Sequence, residues 1–587
     1  MLNDTFCIFK HDVNPYSKTC RICSGIDSIH EIPKFNNHYV IVSGDIHNIP
    51  DIRREFLIDP AVVEEIISEL YLRVGSSFPR YLEGIFVVII IDSNKIVMAR
   101  DIFSLGNVYF DFDNATHEFI ISNKIREISR FRQLKVNTAV LPRYFVCSSI
   151  CIGDTFFENI RSLRPAELLE YYIDEDRLTS SFYDDSFYKE IRKERLKDDI
   201  ILKDSQHIVR DALQGILDYY SGYSAVNSLS GGVDSSYLQA ILKELGHDRA
   251  YTYSFETISA NVQQYAKDIA RYLQIEHKIV EIGPGDIVDS IKKGISVCEA
   301  PYLFEGELLQ NCMYHDIRSS ERNNILIANG SGADTLFGAD RPLLELEYLR
   351  NPLFLEMFSL LNESLLRILR KKDHKRYRTI IRKVRNRTLD EELVFSLFDR
   401  GIHEETIKKG FNLDNLCKVH SEDIREIGEY DGDLIGKLER WYLIEYAIQR
   451  ANSVSVALCR EYGLKICFPF VNRRLACYLL RIPMRKKLRG GITTKYYMKR
   501  MLSEHLPSKY VYRRKIKYGT KKYLYFFKDD RIAGLIQSIK NTRYDYFSFD
   551  YEEIFSNEKY YDLAIKVVNF HIWHKIFIEN VDVDDIH

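Results

Sequence analysis

The stretch NSLSGGVDSSYLQAIL, Asn227 to Leu242, decides the fold. An apolar run leads into it and a pattern of helical period leads out, so it reads as strand, loop and helix. Gly231 and Gly232 let the backbone turn tightly and come close to a ligand. Consecutive N–H groups in such a turn form an anion nest, and the start of the following helix reinforces it. Ser230 and Ser235 add hydroxyl donors. Asp234 would repel a bare phosphate, which implies a bridging Mg²⁺. The loop lacks the Gly-Lys-Ser/Thr ending of a Walker motif. The group it grips is therefore read as a pyrophosphate.

Around this loop, strand and helix patterns alternate. The helix SQHIVRDALQGILDYY precedes it; the strand RAYTYSFE, the helix VQQYAKDIARYLQI and the strand HKIVEI follow. That alternation predicts a parallel sheet with right-handed crossovers, whose ligands bind at the carboxyl ends of the strands. A second loop, ANGSGADTLFGAD (Ala328–Asp340), follows the apolar run NILIAN and also lies at a strand end. Asp334 can supply a second carboxylate to magnesium, and Asn329, Gly330 and Gly332 can border an adenosine and its phosphates. From about residue 340 to 480 helical patterns dominate.

The first ~190 residues differ. Short β-like runs such as HYVIVSGDI and GIFVVIIIDSNKIVMARD alternate with turns, and one helix, DPAVVEEIISELYLRV, interrupts them. The charged segment YKEIRKERLKDD (Tyr188–Asp199) reads as an exposed helix or linker. The expected division is therefore 1–190, a mostly β or layered α/β unit, and 200–587, with the chain as a whole α/β in class.

The chain has 587 residues, a formal charge of −2 and 45% hydrophobic residues. With a mean hydropathy of −0.24, a packed core is expected and disorder is not. The near-neutral charge offers no field to attract nucleic acid. The longest apolar run, GIFVVIII (Gly84–Ile91), is far short of the ~20 residues that span a bilayer, and the N-terminus lacks a signal-peptide core. Eleven cysteines show no framework of spacings. Cys20 and Cys23 form one isolated CxxC without a second ligand pair, and the others read as buried thiols of a reducing cytoplasm.

The loop SGGVDS matches the pyrophosphate loop of enzymes that split ATP into AMP and pyrophosphate. With it, four motifs in order resemble the asparagine synthase family: SGGVDS, NGSGADTLFGAD, QRANSVSVALCREYGLKICFPFVN (Gln449–Asn472) and KLRGGITTKYYMKRMLSEHLPSKYVYRRKIKYG (Lys487–Gly519). The resemblance implies a degenerate glutaminase-like (Ntn-hydrolase-like) domain ahead of an ATP pyrophosphatase domain with a helical C-terminal part. It implies ATP and Mg²⁺ as cofactors, Ser228, Ser230, Gly231, Gly232, Val233, Asp234, Ser235, Ser254, Asn329 and Gly330 at ATP, and Asp234 and Asp334 at the metal. It also implies that Lys515, in the RRK stretch, faces the reaction centre, where a fixed cation stabilises the charge built up when an amine attacks an acyl-adenylate. Fourteen Lys or Arg lie between Arg485 and Lys522 against one acid, Glu504; most of them read as a solvated basic face.

The chain departs from the family pattern at two places. Glutamine hydrolysis in this fold needs a processed N-terminal cysteine whose own amine is the base. Here the chain reads Met-Leu-Asn, the nearest thiol, Cys7, sits inside a strand-like run, and Ser43 replaces the amide-binding Asn of NGEIYN. Ser331 stands where asparagine synthetases carry a glutamate, and β-lactam synthetase a tyrosine. Serine cannot act as a carboxylate base, so the expected nucleophile is an amine already on the substrate. The expected function is an amide synthetase, most like the lasso peptide macrolactam cyclases, with asparagine synthetase or a β-lactam-synthetase-like ligase as alternatives. Its expected partners are a peptide or small-molecule carboxylate/amine substrate and a leader-peptide protease, with no nucleic acid and no membrane insertion.

Overall fold

The computed structural model describes residues 7–11, 19–23, 34–113, 115–116, 118–255, 260–301, 305–339, 342, 345–347, 374–398, 404–444, 449–489, 493–513 and 529–586. The protein is α/β, with two antiparallel sheets in its N-terminal part and a parallel sheet followed by many helices in its C-terminal part.

The first sheet has five strands, with Cys7–His11 paired between Thr19–Cys23 and Glu118–Ser122. The second has six, centred on Gly84–Ile91 between His38–Ile46 and Lys95–Arg100. Why the central strand is apolar at every position follows from what covers it. Val87, Ile89 and Ile91 point toward Phe110, Phe119 and Ile121 of the first sheet. Phe86, Val88 and Ile90 point the other way, onto Ile66, Ile67 and Leu70 of the helix Val63–Val74. A strand buried on both faces needs no polar alternation.

The parallel sheet runs in the order Glu276–Ile282, Arg249–Phe255, Ser224–Ser228, Ile325–Ala328, Lys465–Cys467. The chain builds outward from Ser224–Ser228 in one direction, then crosses back to add Ile325–Ala328 on its other side. The order therefore reverses between these two strands, and the crevice at their carboxyl ends is where open α/β sheets bind ligands. The loops after both strands are the two glycine-rich stretches of the sequence.

The segment expected as an exposed helix or linker, Tyr188–Asp199, is a largely exposed connection that is not helical before Asp198, and it is tied to the C-terminal part. The long helix begins only at Asp198 and runs to Tyr219. Lys193 is held by Glu439 at 2.9 Å and by the Leu480 carbonyl at 2.9 Å, and the Glu194 N–H donates to the Arg481 carbonyl. The two halves are docked firmly. Their shared core brings Phe156 and Phe157 against Trp573, and Lys465 of the parallel sheet pairs with Asp45 at 3.1 Å.

Candidate active site

The first loop has the compact form that its glycines allow. Gly231 stands at φ +70, and a Cβ there would meet Ala266 N at 3.0 Å and Tyr265 Cβ at 3.2 Å, so no larger residue fits without a shift. Ser230 N–H donates to Ser235 Oγ at 3.2 Å, the two serine hydroxyls lie 3.1 Å apart, and Gly232 N–H donates to Ser230 Oγ at 3.3 Å. From beneath, the buried Asn227 amide donates to the Ser235 carbonyl at 2.9 Å. Gly232 ends the loop as the N-cap of the helix Val233–Glu244 and makes no side-chain cap. The first N–H groups of a helix have no intrahelical acceptor, which suits them to an anion. Asp234 lies in that first turn.

The second loop leans on the first. A Cβ on Gly330 would come within 3.3 Å of Ser235 N and 3.5 Å of Asp234 Cβ. Asn329 is buried, its N–H donates to the Cys467 carbonyl at 2.9 Å, and its Oδ1 accepts the Ser331 N–H at 2.9 Å. This side-chain turn shapes the loop, so the backbone of Ser331 has a structural duty whatever its hydroxyl does. Gly332, at φ +89, caps the short helix Ala333–Leu336 that carries Asp334. Ser228 lies at the end of the central strand, its Oγ 4.0 Å from Met313 Sδ, and Val233 opens the helix. Ser254 is on the strand Arg249–Phe255 with Glu281 as its register partner; its side chain lies outside the described residues.

Lys495 joins the two loops, and the sequence did not single it out. Its ammonium pairs with Asp234 Oδ2 and with Asp334 Oδ1, although only 9% of its side chain is exposed. Burial works to lower the pKa of this ammonium, but the charges of Asp234 and Asp334 outweigh it and hold the pKa above the ordinary lysine value. Lys499, one turn further on, is pulled the other way by burial and by the charge of Lys495, against Asp234. Lys495 stands at φ +54 and ψ +42 as the N-cap of the helix Tyr496–Leu502. A non-glycine residue in this region costs of order 1 kcal/mol, and such strain clusters at functional sites. The only sequence signal is a lysine just ahead of the apolar helix start YYM, inside a run of basic residues.

Arg513 ties the C-terminal segment to the first loop. It donates to the Gly231 carbonyl, and its guanidinium lies 3.9 Å from the centre of the Tyr265 ring. Lys515 lies outside the described residues. Asn472, in the PFVN segment, caps the helix Arg473–Arg481 by accepting the Leu475 N–H at 2.9 Å. In the N-terminal half, Ser43 is buried and its hydroxyl accepts from the Asn123 amide at 3.4 Å.

Two carboxylates converging from separate loops form a hard-oxygen donor set. Among the described residues no group of three or more His, Cys, Asp or Glu gathers around a point. A donor set of this size fits Mg²⁺, which keeps water and takes its remaining ligands from substrate phosphates, better than it fits a metal held in a protein cage. Among the described residues no helix is long and apolar enough to cross a membrane.

The asparagine synthase family model matches residues 225–564, and the glutamine amidotransferase domain model matches residues 32–183. A comparison with curated protein sequences gives no match. Among solved structures, an allosteric regulatory enzyme of purine biosynthesis aligns at TM-score 0.22 and 9% identity, over 47% of this chain and 74% of that one. Glutamine phosphoribosylpyrophosphate amidotransferase from B. subtilis aligns at 0.21 and 8%, over 57% and 71%. NMN synthetase from Francisella tularensis aligns at 0.20 and 12%, over 42% and 93%. Superpositions this loose carry no argument. The family match spans the parallel sheet, both glycine-rich loops and Lys495, and on it the chain belongs to the asparagine synthase family and is an ATP-dependent ligase.

Proposed function

We propose that this ligase activates a carboxylate as its adenylate, releasing pyrophosphate, and joins it to an amine that the same substrate carries. The observation behind it is the convergence of Asp234 and Asp334 on one cation at the switch point of the parallel sheet. In the first step a substrate carboxylate oxygen attacks the α-phosphorus of ATP, the bond from that phosphorus to the bridging oxygen breaks, and pyrophosphate leaves. In the second the amine attacks the acyl carbon, AMP leaves, and the amine loses a proton.

The residues divide the work. Backbone N–H groups around Gly231 and Gly232, with Ser228, Ser230, Val233 and Ser235, cradle the phosphates. Asn329, Gly330 and Ser254 border the nucleotide. Asp234 and Asp334 would hold Mg²⁺, which neutralises the triphosphate and polarises its phosphorus. Lys515 is the proposed cation at the acyl centre.

Ammonia is the less suitable nucleophile here. Ser43 and Ser331 replace the residues that would bind glutamine amide and serve as a carboxylate base. A peptide with its own amine and side-chain carboxylate, closed to a macrolactam of the lasso type, fits this loss, with a leader-peptide protease as a partner in processing. The free cysteines among the described residues support a reducing, cytoplasmic setting.

The test incubates the full chain with ATP, Mg²⁺ and a peptide bearing a free N-terminal amine and an internal Asp or Glu. AMP, pyrophosphate and a product lighter by one water are expected. ADP and orthophosphate in their place would exclude the adenylate, and asparagine formed from aspartate and ammonia would exclude the intramolecular amine.

A further inference from the structure

Lys495 occupies the gap between Asp234 and Asp334 that the ATP reading assigns to a divalent cation. It is fixed there from both ends. Its side chain is buried, its N–H donates to the Gly338 carbonyl at the end of the loop that carries Asp334, and its backbone keeps a left-handed conformation at the head of a helix whose Tyr496, Tyr497 and Met498 are buried.

Two carboxylates held this close repel each other unless a cation lies between them. Here the Lys495 ammonium lies between them. A free divalent ion entering the gap must push a desolvated ammonium off at least one carboxylate and leave it facing a dication. An ion that arrives on a triphosphate brings oxygen anions to which the ammonium can turn. We propose, resting on the ATP reading above, that Lys495 is a placeholder cation: it closes the nucleotide-free site to free divalent ions, so that metal enters as its complex with the nucleotide.

The experiment follows Mn²⁺ binding by electron paramagnetic resonance, with the full chain, in the absence and presence of α,β-methylene-ATP, which cannot be split at the α–β bridge. The wild type is expected to hold Mn²⁺ far more tightly with the analogue than without it. Lys495→Met is expected to gain nucleotide-free Mn²⁺ affinity by about ten- to a hundredfold, as removal of a unit charge beside the ion implies. Adding Asp334→Asn to that variant should abolish the gain, which locates the ion between these carboxylates. Wild type that binds Mn²⁺ equally well with and without the analogue overturns the placeholder, and so does a folded Lys495→Met with no gain. If Lys495→Met fails to fold by circular dichroism, the wild-type comparison alone decides. Wild type that does not bind the analogue at all overturns the ATP reading itself, a separate failure.

Discussion

Glu299 of the synthetase half receives the N–H of Ile125, at 2.7 Å, from the amidotransferase-like half. Its other carboxylate oxygen receives the N–H of Arg126 at 2.8 Å, and its carbonyl accepts from the Trp573 indole at 3.2 Å. It thus caps the short helix Ile125–Ile128 across the domain joint while 3% exposed. Glu299→Ala leaves two buried donors unpaired and should cost about 1–3 kcal/mol. Burial raises the carboxyl above its ordinary 4.5, with Lys124 and the two N–H groups opposing. A raised folded pKa favours the fold most below the unfolded value, and that gain is lost as pH rises through the folded one. The penalty of Glu299→Gln relative to wild type should therefore be larger near pH 4 than near pH 7 in thermal melts; an equal or opposite difference would refute the assignment.

A second tie across the joint is ionic. Arg143, on the helix Leu141–Cys147, pairs with the wholly buried Asp423, which His420 also contacts. Burial works to raise the Asp423 pKa, but Arg143 and His420 outweigh it and hold it below 3.8. Its contribution is present above the unfolded pKa and is lost as pH falls through the folded one. Breaking a buried pair on one side typically costs about 3–5 kcal/mol, so Asp423→Ala should lower stability by that much in urea titrations at neutral pH. A loss within experimental error of zero would mean that the halves are only tethered.

How much of this was legible in the sequence depends on the distance between partners. The SGGVDS loop declares itself because glycines, hydroxyls and acid are contiguous and sit between strand and helix. The run Gly84–Ile91 likewise shows its double burial in its composition. Lys495 does not, because its partner Asp234 is 261 residues away and nothing local separates it from the other basic residues. The ties of Tyr188–Asp199 are hidden for the same reason: the segment is mostly exposed, as its composition suggests, but its Lys193 is met by Glu439 and the Leu480 carbonyl, 246 and 287 residues further on. Local rules reach caps, turns and periodicity, whereas pairings made by the fold carry no local signature.

Gly332 tests how strictly the second loop is shaped. Its φ is +89, and a Cβ there would lie 2.6 Å from Val471 Cγ2. Gly332→Ala should cost about 1–2 kcal/mol from strain alone. Asp334 stands two residues on, so the variant should also raise the KM for ATP in pyrophosphate exchange. An unchanged KM in a destabilised variant would show that the loop re-forms once nucleotide binds.

The N-terminal half is expected to be inert toward glutamine. The amidotransferase match begins at residue 32 and leaves Cys7 outside it. Cys7 begins a strand hydrogen-bonded on both sides, opposite Cys23 and Ser122. Incubation with glutamine should release no glutamate above background, and Cys7→Ala should change nothing. Glutamate release that disappears in Cys7→Ala would restore a working glutaminase.

The two lysines should separate the two chemical steps. Lys495 pairs with both candidate metal carboxylates, so its charge belongs to the ATP end of the site. Lys495→Met should lose substrate-dependent exchange of labelled pyrophosphate into ATP, and ring closure with it. Lys515 is proposed for the acyl end, where an amine adds and negative charge builds on oxygen. Lys515→Met should keep the exchange and lose product, by about 10²–10³ in rate, the usual cost of a missing oxyanion donor. Arginine is a poor control at either position, because a planar guanidinium presents its charge and donors differently from an ammonium. The discriminating quantity is the ratio of exchange to product formation. Exchange and product that fall together in Lys495→Met, with a high ratio for Lys515→Met, assign one lysine to each step. If both activities fall together in both variants, both lysines serve the nucleotide, and the cation that stabilises acyl transfer is to be sought among the other basic residues between Arg485 and Lys522.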